Sequence, residues 1–319
     1  MRDDITLFVV GSFVAASAAK VERLPKPGES LAAQSFILEP GGKGFNLAVA
    51  CRRLGAVVNG ILPIGDDMLS GLAGPALDRA GLSPDMLHRL PGSTGAGIGF
   101  IDAKGENCLA VFPGANALLC AKDVQAKAAD IADADITLAQ FEIGDEPIVA
   151  AFALAREAGR MTLLNPSPFR KLDRRLLELT SVLVLNAHEA AALASDLAGA
   201  TISVFDEHSS LAEVAAFAAQ VMALGPAVVV VTLGEGGAFL CRSDRMPLHQ
   251  PAFPIEAIDT LGAGDAFAAG LAVGIAEGRE WTDILSFANA CGAILAGKLG
   301  VFDAFPNRSA VNAFLSQHI

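Results

Sequence analysis

An aspartate preceded by three small residues is the strongest chemical feature of this sequence. Gly262, Ala263 and Gly264 lead into Asp265 at the start of an apolar stretch that predicts a helix. Glycine lets a backbone approach a ligand closely, and free N–H groups at a helix N-terminus attract anions. A carboxylate beside such groups can take a proton from a hydroxyl while they hold a phosphate. The stretch therefore predicts phosphoryl transfer to an alcohol, with a plain helix-capping aspartate as the alternative.

A second glycine-rich stretch lies far away in the sequence, at residues 40–46. It reads PGGKGFN and runs into an apolar, helix-like segment. Gly42 allows close approach of a substrate, and Lys43 and Asn46 can donate hydrogen bonds to hydroxyls. The stretch lacks the GxxxxGK[ST] spacing of a phosphate-binding P-loop. Gly11, after the first predicted strand, is not followed by the glycines of a dinucleotide fingerprint, which disfavours a nicotinamide-dependent dehydrogenase.

Helices and strands must hold these residues in position. The sequence alternates short apolar runs, typical of strands, with helical patterns. The alternation predicts an α/β fold with a mostly parallel sheet covered by helices. The predicted core strands are 7–10, 58–64, 136–139, 161–165, 182–185, 227–233 and 238–241. The predicted helices are 44–54, 71–80, 146–158, 187–194, 210–224, 265–276, 281–296 and 309–316. Each glycine-rich stretch thus opens one of the predicted helices.

Two segments fit this layer poorly. Residues 21–38 begin with prolines and then read as extended chain, and residues 97–112 read as a hairpin with its turn at 104–105. Together they predict a small separate sheet, a lid built from about 13–39 and 97–112 within one domain of residues 1–319. A hinged sheet can close over a site and exclude water. Edge strands or a dimer contact are the alternatives.

Composition and charge restrict the class of protein. The 319-residue chain is 52% hydrophobic and has a formal net charge of −12. This predicts a globular protein with a large core and does not favour nucleic-acid or anionic-membrane partners. The five cysteines stand singly, without metal-ligand or disulfide spacing, which favours reduced thiols in the cytoplasm. Residues 7–19 resemble a signal-peptide core, but the net negative leader MRDD favours a buried first strand at 5–10.

The two glycine-rich stretches together resemble a known family. GGKGFNLAVACRRLGA and DTLGAGDAFAAG are similar to the two signatures of the ribokinase-like (PfkB) carbohydrate kinases, in the same order and at a similar separation. The phrases GSF, KPGES, GDD, PGAN, NPSP, NAHE and TLGEGG also fall where that family places comparable phrases. The resemblance covers almost the whole chain and is closest to the ribokinases within the family. It implies a three-layer α/β/α body with a small β-sheet lid.

The resemblance also implies a role for each site residue. Asp265 would be the catalytic base, and Gly262, Ala263 and Gly264 would supply N–H groups to the transferring phosphoryl group. The implied sugar-binding residues are Gly42, Lys43, Asn46 and Glu142. The implied nucleotide-binding residues are Asn186, Thr232, Gly234, Gly237 and Asn289.

ATP and Mg²⁺ are the cofactors that the resemblance implies, with K⁺ as a further cation. Glu189, together with Asn186, would organise Mg²⁺ through water, since Mg²⁺ usually keeps several of its waters. The implied monovalent-cation loop comprises Asp259, Leu261, Leu299 and Ala304. Without the resemblance, Asn186 and Glu189 also read as a helix cap with its first-turn acid. Glu142 likewise reads as a surface acid after a strand, and Lys43 as a solvated charge.

The sequence departs from the ribokinase pattern directly after the first predicted strand. Ribokinases carry GSxNxD there, and that aspartate binds the ribose hydroxyls. This chain reads GSFVAA, so Val14 and Ala16 take the places of the asparagine and the aspartate. Loss of a charged acceptor in a closed site weakens recognition of a polar sugar. We therefore expect a monosaccharide or related polyol other than ribose as the substrate.

The expected protein is thus a cytoplasmic, ATP-dependent sugar kinase that phosphorylates a hydroxyl group, and a homodimer through the lid is a further expectation. Two other functions remain open at this point. One is a nucleoside or sugar-acid kinase on the same fold. The other is a sugar- or nucleotide-sensing protein that binds without catalysis, which the changes at Val14 and Ala16 keep open.

Overall fold

Two β-sheets of different size organise this chain. The computed structural model describes residues 4–103, 107–198, 205–206, 208–243 and 245–318. The strands are β1 (Thr6–Val10), β2 (Val14–Lys20), β3 (Ser35–Gly41), β4 (Val57–Ile64), β5 (Leu87–Arg89), β6 (Gly95–Ile101), β7 (Asn107–Phe112), β8 (Ile136–Gln140), β9 (Met161–Asn165), β10 (Val182–Asn186), β11 (Val228–Thr232), β12 (Ala238–Arg242) and β13 (Leu248–Gln250). The α-helices are α1 (Lys43–Arg53), α2 (Ala73–Ala80), α3 (Ala121–Gln125), α4 (Ala128–Asp133), α5 (Asp145–Glu157), α6 (Arg174–Leu179), α7 (Ala187–Ala198), α8 (Leu211–Met222), α9 (Ala263–Ala276), α10 (Trp281–Ala296) and α11 (Arg308–His318).

The larger sheet is mostly parallel, as predicted. Within the described residues its strand order is β13-β12-β11-β10-β9-β8-β1-β4-β5. Every neighbouring pair from β5 to β11 is parallel, and β12 and β13 add an antiparallel edge. Along β1, Leu7 and Val9 join one hydrophobic core while Phe8 and Val10 join another. Burial on both faces explains why these strands read as continuous apolar runs.

Helices cover both faces of the larger sheet. Helices α1, α2, α9, α10 and α11 contribute to the core that contains Leu7. Helices α3 to α8 contribute to the core that contains Phe8. The predicted three-layer α/β/α architecture is therefore confirmed.

The smaller sheet is separate from the larger one, also as predicted. Its order is β3-β2-β6-β7, with β2 antiparallel to β3 and parallel to β6, and β6 antiparallel to β7. The predicted turn at 104–105 lies outside the described residues. Strand β2 starts shortly after β1 ends, and β3 ends at Gly41, with only Gly42 between it and α1. The small sheet is consequently attached to the body at the glycine-rich stretch that opens α1.

Several short elements were not predicted from the sequence. They include strands β5 and β13 and helices α3, α4 and α6. Elements of three to six residues are too short to show a hydrophobic period, and their neighbours in the fold stabilise them. No helix in the described ranges has both the length and the apolar character required to cross a bilayer.

Candidate active site

The two glycine-rich stretches meet in space, although 219 residues separate their key side chains. Asn46 Nδ2, in the first turns of α1, donates a hydrogen bond of 2.9 Å to Asp265 Oδ2 in the first turn of α9. Lys43 Nζ lies 3.8 Å from Asp265 Oδ1. The Asp265 side chain is only 4% exposed. The structure thus brings the predicted base together with two of the predicted sugar-binding residues.

The backbone before Asp265 leaves free donors beside an open space. Gly262 precedes the first residue of α9 with a φ of 80°, a conformation that favours glycine. Ala263 N–H donates to Thr260 O at 3.2 Å, whereas the N–H groups of Gly264 and Asp265 have no hydrogen-bond partner among the described residues. Apart from its chain neighbours and the backbone of its own helix, no heavy atom of the described residues lies within 4 Å of the position that a Cβ on Gly264 would occupy. This arrangement suits a phosphate group.

Glu142 reaches the site from the loop after β8. Its Oε2 accepts hydrogen bonds from Ser12 Oγ at 2.6 Å and from the Lys43 N–H at 2.8 Å. Ser12 Oγ in turn accepts from the Gly44 N–H at 3.2 Å. A Cβ on Gly44 would lie 2.2 Å from Ser12 N, so only glycine permits this close packing. Glu142 is therefore half-buried and holds the N-terminus of α1, unlike the surface acid of the alternative reading.

Lys43 brings a cationic side chain into the site, where it interacts with three carboxylates. Its side chain is 30% exposed. Burial by itself lowers the pKa of Lys43, but the charges of Asp265, Glu142 and Glu189 outweigh that effect, so the pKa lies above its ordinary value. Lys43 thus carries a positive charge within the site, in contrast to the solvated charge of the alternative reading.

Asn186 and Glu189 form a reciprocal helix cap at the start of α7. The Asn186 N–H donates to Glu189 Oε2, and the Glu189 N–H donates to Asn186 Oδ1, both at 2.9 Å. Glu189 is nevertheless buried, and burial raises the pKa of its carboxyl group despite hydrogen bonds from the Asn186 backbone and the Ser167 hydroxyl. The Lys43 charge lowers that pKa and the Asp265 charge raises it, so the Glu189 carboxyl group lies within electrostatic range of the same site. The capping interpretation is correct, and it does not remove the carboxylate from the site.

The predicted nucleotide-binding residues lie at the carboxyl edge of the sheet and beyond it. Asn186 and Thr232 are register partners at the ends of the parallel strands β10 and β11. Gly234 has a φ of 57° and open space around it. A Cβ on Gly237 would lie 2.1 Å from Gln250 O, which makes this glycine a packing requirement. Asn289 Nδ2 donates to Pro251 O at 2.8 Å, so Gly237 and Asn289 both contact the segment that follows β13.

The predicted monovalent-cation residues lie on two loops that Asp259 joins. Its Oδ1 accepts from the Leu261 N–H at 3.0 Å and its Oδ2 accepts from the Gly300 N–H at 3.3 Å. Leu299 is strongly exposed and Ala304 is buried. No group of three or more His, Cys, Asp and Glu side chains could hold a metal ion within the described residues. Mg²⁺ and K⁺ binding stay predictions, and any cation here would depend on carbonyls, water or phosphate oxygens.

Sequence reasoning gave no role to three polar residues near the site. Ser12 links Glu142 to α1. Gln140, at the end of β8, is buried with no partner for either amide atom among the described residues. Arg170 contacts the loop that carries Glu142. The signal available for Ser12 and Gln140 was a polar residue at the end of an apolar strand, where α/β proteins bind ligands.

A buried carboxylate between two glycine-rich helix N-termini, at the edge of a parallel sheet, would suit the transfer of a phosphoryl group to a hydroxyl. The family model described as pfkB family carbohydrate kinase matches residues 4–308, and the chain belongs to that family. The protein is therefore an ATP-dependent carbohydrate kinase.

Curated relatives and solved structures agree with this assignment. The chain is 31% identical to the ribokinase of Haemophilus influenzae over 312 residues, which cover 97% of this chain and 98% of that protein. It is 30% identical to the deoxyribokinase of Salmonella typhimurium over 262 residues, covering 81% and 82%. It is also 31% identical over 317 residues to the bifunctional ribokinase/ribose-5-phosphate isomerase A of Fructilactobacillus sanfranciscensis, covering 98% of this chain and spanning 56% of that protein. The structure of Arabidopsis thaliana ribokinase complexed with ribose and ATP matches with a TM-score of 0.87 and 28% identity, covering 98% of this chain and 99% of that one.

Proposed function

We propose that this kinase transfers the γ-phosphoryl group of ATP to a hydroxymethyl group of a monosaccharide or related polyol, with Asp265 as the general base. The proposal rests on the surroundings of the Asp265 carboxylate. The carboxylate of Asp265 lies next to N–H groups that have no partner in the described part of the chain, and next to an open space at Gly264. It also contacts Asn46 and Lys43 from the other glycine-rich stretch. A hydroxyl and a phosphoryl group can therefore meet beside one base.

Asn46 and Lys43 prepare Asp265 for proton transfer. The hydrogen bond from Asn46 occupies Asp265 Oδ2 and fixes the orientation of the carboxylate. Asp265 Oδ1 has the Lys43 ammonium at 3.8 Å and remains available to accept a proton from the sugar hydroxyl. Of the predicted donors, Ala263 already binds Thr260 O through its N–H group. The N–H groups of Gly262 and Gly264, with that of Asp265, are proposed to bind oxygens of the transferring group, where negative charge is spread in the transition state.

The nucleotide side of the site suits ATP with a divalent cation. Glu189 offers one buried carboxylate that faces Lys43 and Asp265, which matches Mg²⁺ held mainly by phosphates and water. When bound, Mg²⁺ would neutralise phosphate charge. Asn186, Thr232 and Gly234 are proposed to contact the nucleotide, together with Gly237 and Asn289. K⁺ is proposed at the loops that Asp259 joins, with the backbone at Leu261, Leu299 and Ala304 contributing.

The substrate is proposed to be less polar than ribose where it meets β2. Val14 and Ala16 lie on this strand, and a Cβ on Gly42 would be 3.0 Å from Val14 N. Neither side chain can accept a hydrogen bond from a sugar hydroxyl. A deoxy sugar is therefore the first class to test, and the deoxyribokinase among the relatives supports that choice. Gly42, Lys43, Asn46 and Glu142 are proposed to bind the remaining hydroxyls.

We also propose that two copies pair through their small sheets and that the protein works in a reducing, cytoplasmic setting. Large apolar side chains are exposed on the small sheet, which supports pairing. All five cysteines are free thiols, which supports the reducing setting. The small sheet is proposed to close over the bound sugar as a lid.

The proposed function is tested by ADP release over a panel of sugars, deoxy sugars, nucleosides and sugar acids, with ATP, Mg²⁺ and K⁺ present. Asp265→Asn should reduce kcat about 10²–10⁴-fold on the best substrate, because the base is lost, while ATP affinity by calorimetry stays unchanged. Asp78→Asn, at an exposed position of α2, is the matched control and should retain full turnover. Full activity of Asp265→Asn would refute the assigned base, and absence of turnover on the whole panel would refute the function. Turnover confined to nucleosides or sugar acids would select the alternative substrate class.

A further inference from the structure

The Arg170 side chain donates hydrogen bonds to several acceptors in the loop around Glu142. Its Nη1 donates to Phe141 O at 2.6 Å and its Nη2 donates to Ile143 O at 2.7 Å. The two carbonyls belong to the residues on either side of Glu142. Arg170 Nε and Nη2 also bind Asp145 Oδ1, at 3.1 and 2.5 Å. The guanidinium therefore binds the residue before Glu142, the residue after it, and Asp145 further along the loop.

The aromatic ring of Phe141 completes this contact. The Arg170 guanidinium carbon lies 3.9 Å from the centre of that ring, and the ring is buried. The Phe141 N–H donates to Ser167 O at 3.1 Å, so the segment that leads to Arg170 also binds the loop. Three oxygen acceptors and the face of an aromatic ring together fix the orientation of the guanidinium. An isolated ion pair on the surface would leave that orientation free.

The position of this loop determines where the N-terminus of α1 lies. Glu142 Oε2 accepts from Ser12 Oγ and from the Lys43 N–H. Lys43 and Asn46, in the first turns of the same helix, contact Asp265. A displacement of the loop would therefore reach the sugar-binding side chains and their contacts with the base.

We propose that Arg170 is a positioning residue for sugar binding, which acts through Glu142. It touches neither substrate nor base, and it holds the Glu142 carboxylate where that group binds the sugar and anchors α1. The proposal rests on the proposed function, because it takes Glu142 as a sugar contact.

Arg170→Gln should raise the KM for the best sugar of the panel about tenfold or more, because misplacement of a binding group by around an ångström is costly. The KM for ATP should stay within about twofold of the parent value. Arg170→Lys should show a smaller increase, because an ammonium cannot bind both carbonyls and Asp145 in the same geometry. Arg174→Gln is the matched control, since Arg174 pairs with Glu178 on the exposed surface of α6. Equal increases in both KM values, or an unchanged sugar KM, would overturn the proposal.

A double-mutant cycle shows whether Arg170 acts through Glu142. In a Glu142→Gln background, Arg170→Gln should change kcat/KM for the sugar much less than it does in the parent protein. Full additivity of the two effects would overturn the proposal. The proposal would also be overturned if Arg170→Gln strongly lowered kcat/KM for the sugar while Glu142→Gln left it unchanged.

Hydrogen exchange gives a readout that needs no substrate. The Lys43 amide is bound to Glu142, so Arg170→Gln should accelerate its exchange about tenfold or more, and Arg174→Gln should not. Unchanged exchange at Lys43 would overturn the proposal even where the kinase function holds. If no sugar is turned over but exchange accelerates as expected, the proposed function fails and the anchoring of α1 by Arg170 stands. If Arg170→Gln does not fold, Arg170→Lys serves for the same measurement.

Discussion

Two buried carboxylates in this site have different partners and therefore different proposed tasks. Asp265 receives a hydrogen bond from the Asn46 amide and has Lys43 nearby. Glu189 caps the first turn of α7 and is bound by the Asn186 backbone and by Ser167. Burial raises the pKa of Glu189 although the nearby Lys43 charge lowers it, so a further cation would stabilise the charged carboxylate. This environment is consistent with a metal-side role for Glu189.

The raised pKa of Glu189 predicts that the stability of the folded protein depends on pH. The folded state holds this proton more tightly than the unfolded state, where the pKa is about 4.5. The stability contributed by the proton is full below pH 4.5 and is lost as pH rises through the folded-state pKa. Glu189→Gln is neutral throughout, so its Tm relative to the parent should increase as pH rises from below 4.5 towards neutrality. Turnover should fall in the same variant.

Thermal unfolding across this pH range, without nucleotide or Mg²⁺, is the measurement. Glu178→Gln, at an exposed position of α6, is the control. Its Tm relative to the parent should not rise with pH in the way expected for Glu189→Gln. A difference for Glu189→Gln that stays flat with pH, or that decreases as pH rises, would contradict the prediction.

The N-terminus of α9 shows how two neighbouring glycines serve different purposes. Gly262 has a positive φ, and a Cβ there would lie 2.8 Å from Val301 Cγ1. Gly264 is helical, and a Cβ there would meet no described residue within 4 Å outside its own helix and its chain neighbours. The first glycine is therefore required by the fold, and the second leaves room for a ligand.

Gly264→Ala should leave Tm unchanged or stabilise the fold by up to about 1 kcal/mol, because alanine is the better helix former. It should nevertheless lower kcat/KM for ATP, because the added methyl group occupies the proposed phosphoryl site. Gly262→Ala should instead cost about 1–2 kcal/mol of stability, since alanine is strained in the left-handed region. Thermal unfolding and steady-state kinetics on both variants check this. Normal turnover of Gly264→Ala would contradict the proposed phosphoryl site.

Strand β2 carries the departure from the ribokinase pattern. Ala16 pairs with Glu39 of β3 and with Gly97 of β6. Residues directly opposite each other in an antiparallel pair point to the same face, so a carboxylate at position 16 would stand beside that of Glu39. The alanine at position 16 thus leaves one negative charge fewer beside Glu39 on this face of the small sheet.

Ala16→Asp should lower the KM for ribose, because it restores an acceptor for the sugar hydroxyls. It should also cost about 0.2–1 kcal/mol of stability through repulsion of Glu39. The double variant Ala16→Asp/Glu39→Gln should keep the kinetic gain and recover the stability. Ribose kinetics and thermal unfolding measure both effects, and an unchanged ribose KM in the double variant would contradict the role of position 16.

The molecule combines a large sheet with helices on both faces and a small sheet that exposes apolar side chains to solvent. On one face of the small sheet Phe36 and Ile98 are 66% and 57% exposed, and on the other Leu109 and Val111 are 61% and 52% exposed. Apolar surface of this kind marks an interaction site or closure over a ligand. Pairing of two small sheets would bury it.

The parent protein should be a dimer in solution by light scattering after gel filtration. Two double variants test the faces separately: Phe36→Asp/Ile98→Asp and Leu109→Asp/Val111→Asp. Charges in a buried interface oppose association, so at least one variant should be monomeric with an unchanged circular dichroism spectrum. A monomeric parent, or two variants that both remain dimeric, would contradict pairing through the small sheet.

The amino-acid sequence alone predicted the features that depend on local chemistry and hydrophobic period. Continuous apolar runs predicted seven strands of the larger sheet, namely β1, β4, β8, β9, β10, β11 and β12. Glycine stretches predicted the N-termini of α1 and α9. The same information left Glu142, Lys43 and Glu189 with two interpretations each, because one sequence does not show which distant groups meet. Folding brought Asn46 to Asp265, Glu142 to the Lys43 amide, and Arg170 to the Glu142 loop. These contacts join segments tens to hundreds of residues apart, so their partners depend on how the helices pack on the sheet, which no local pattern encodes.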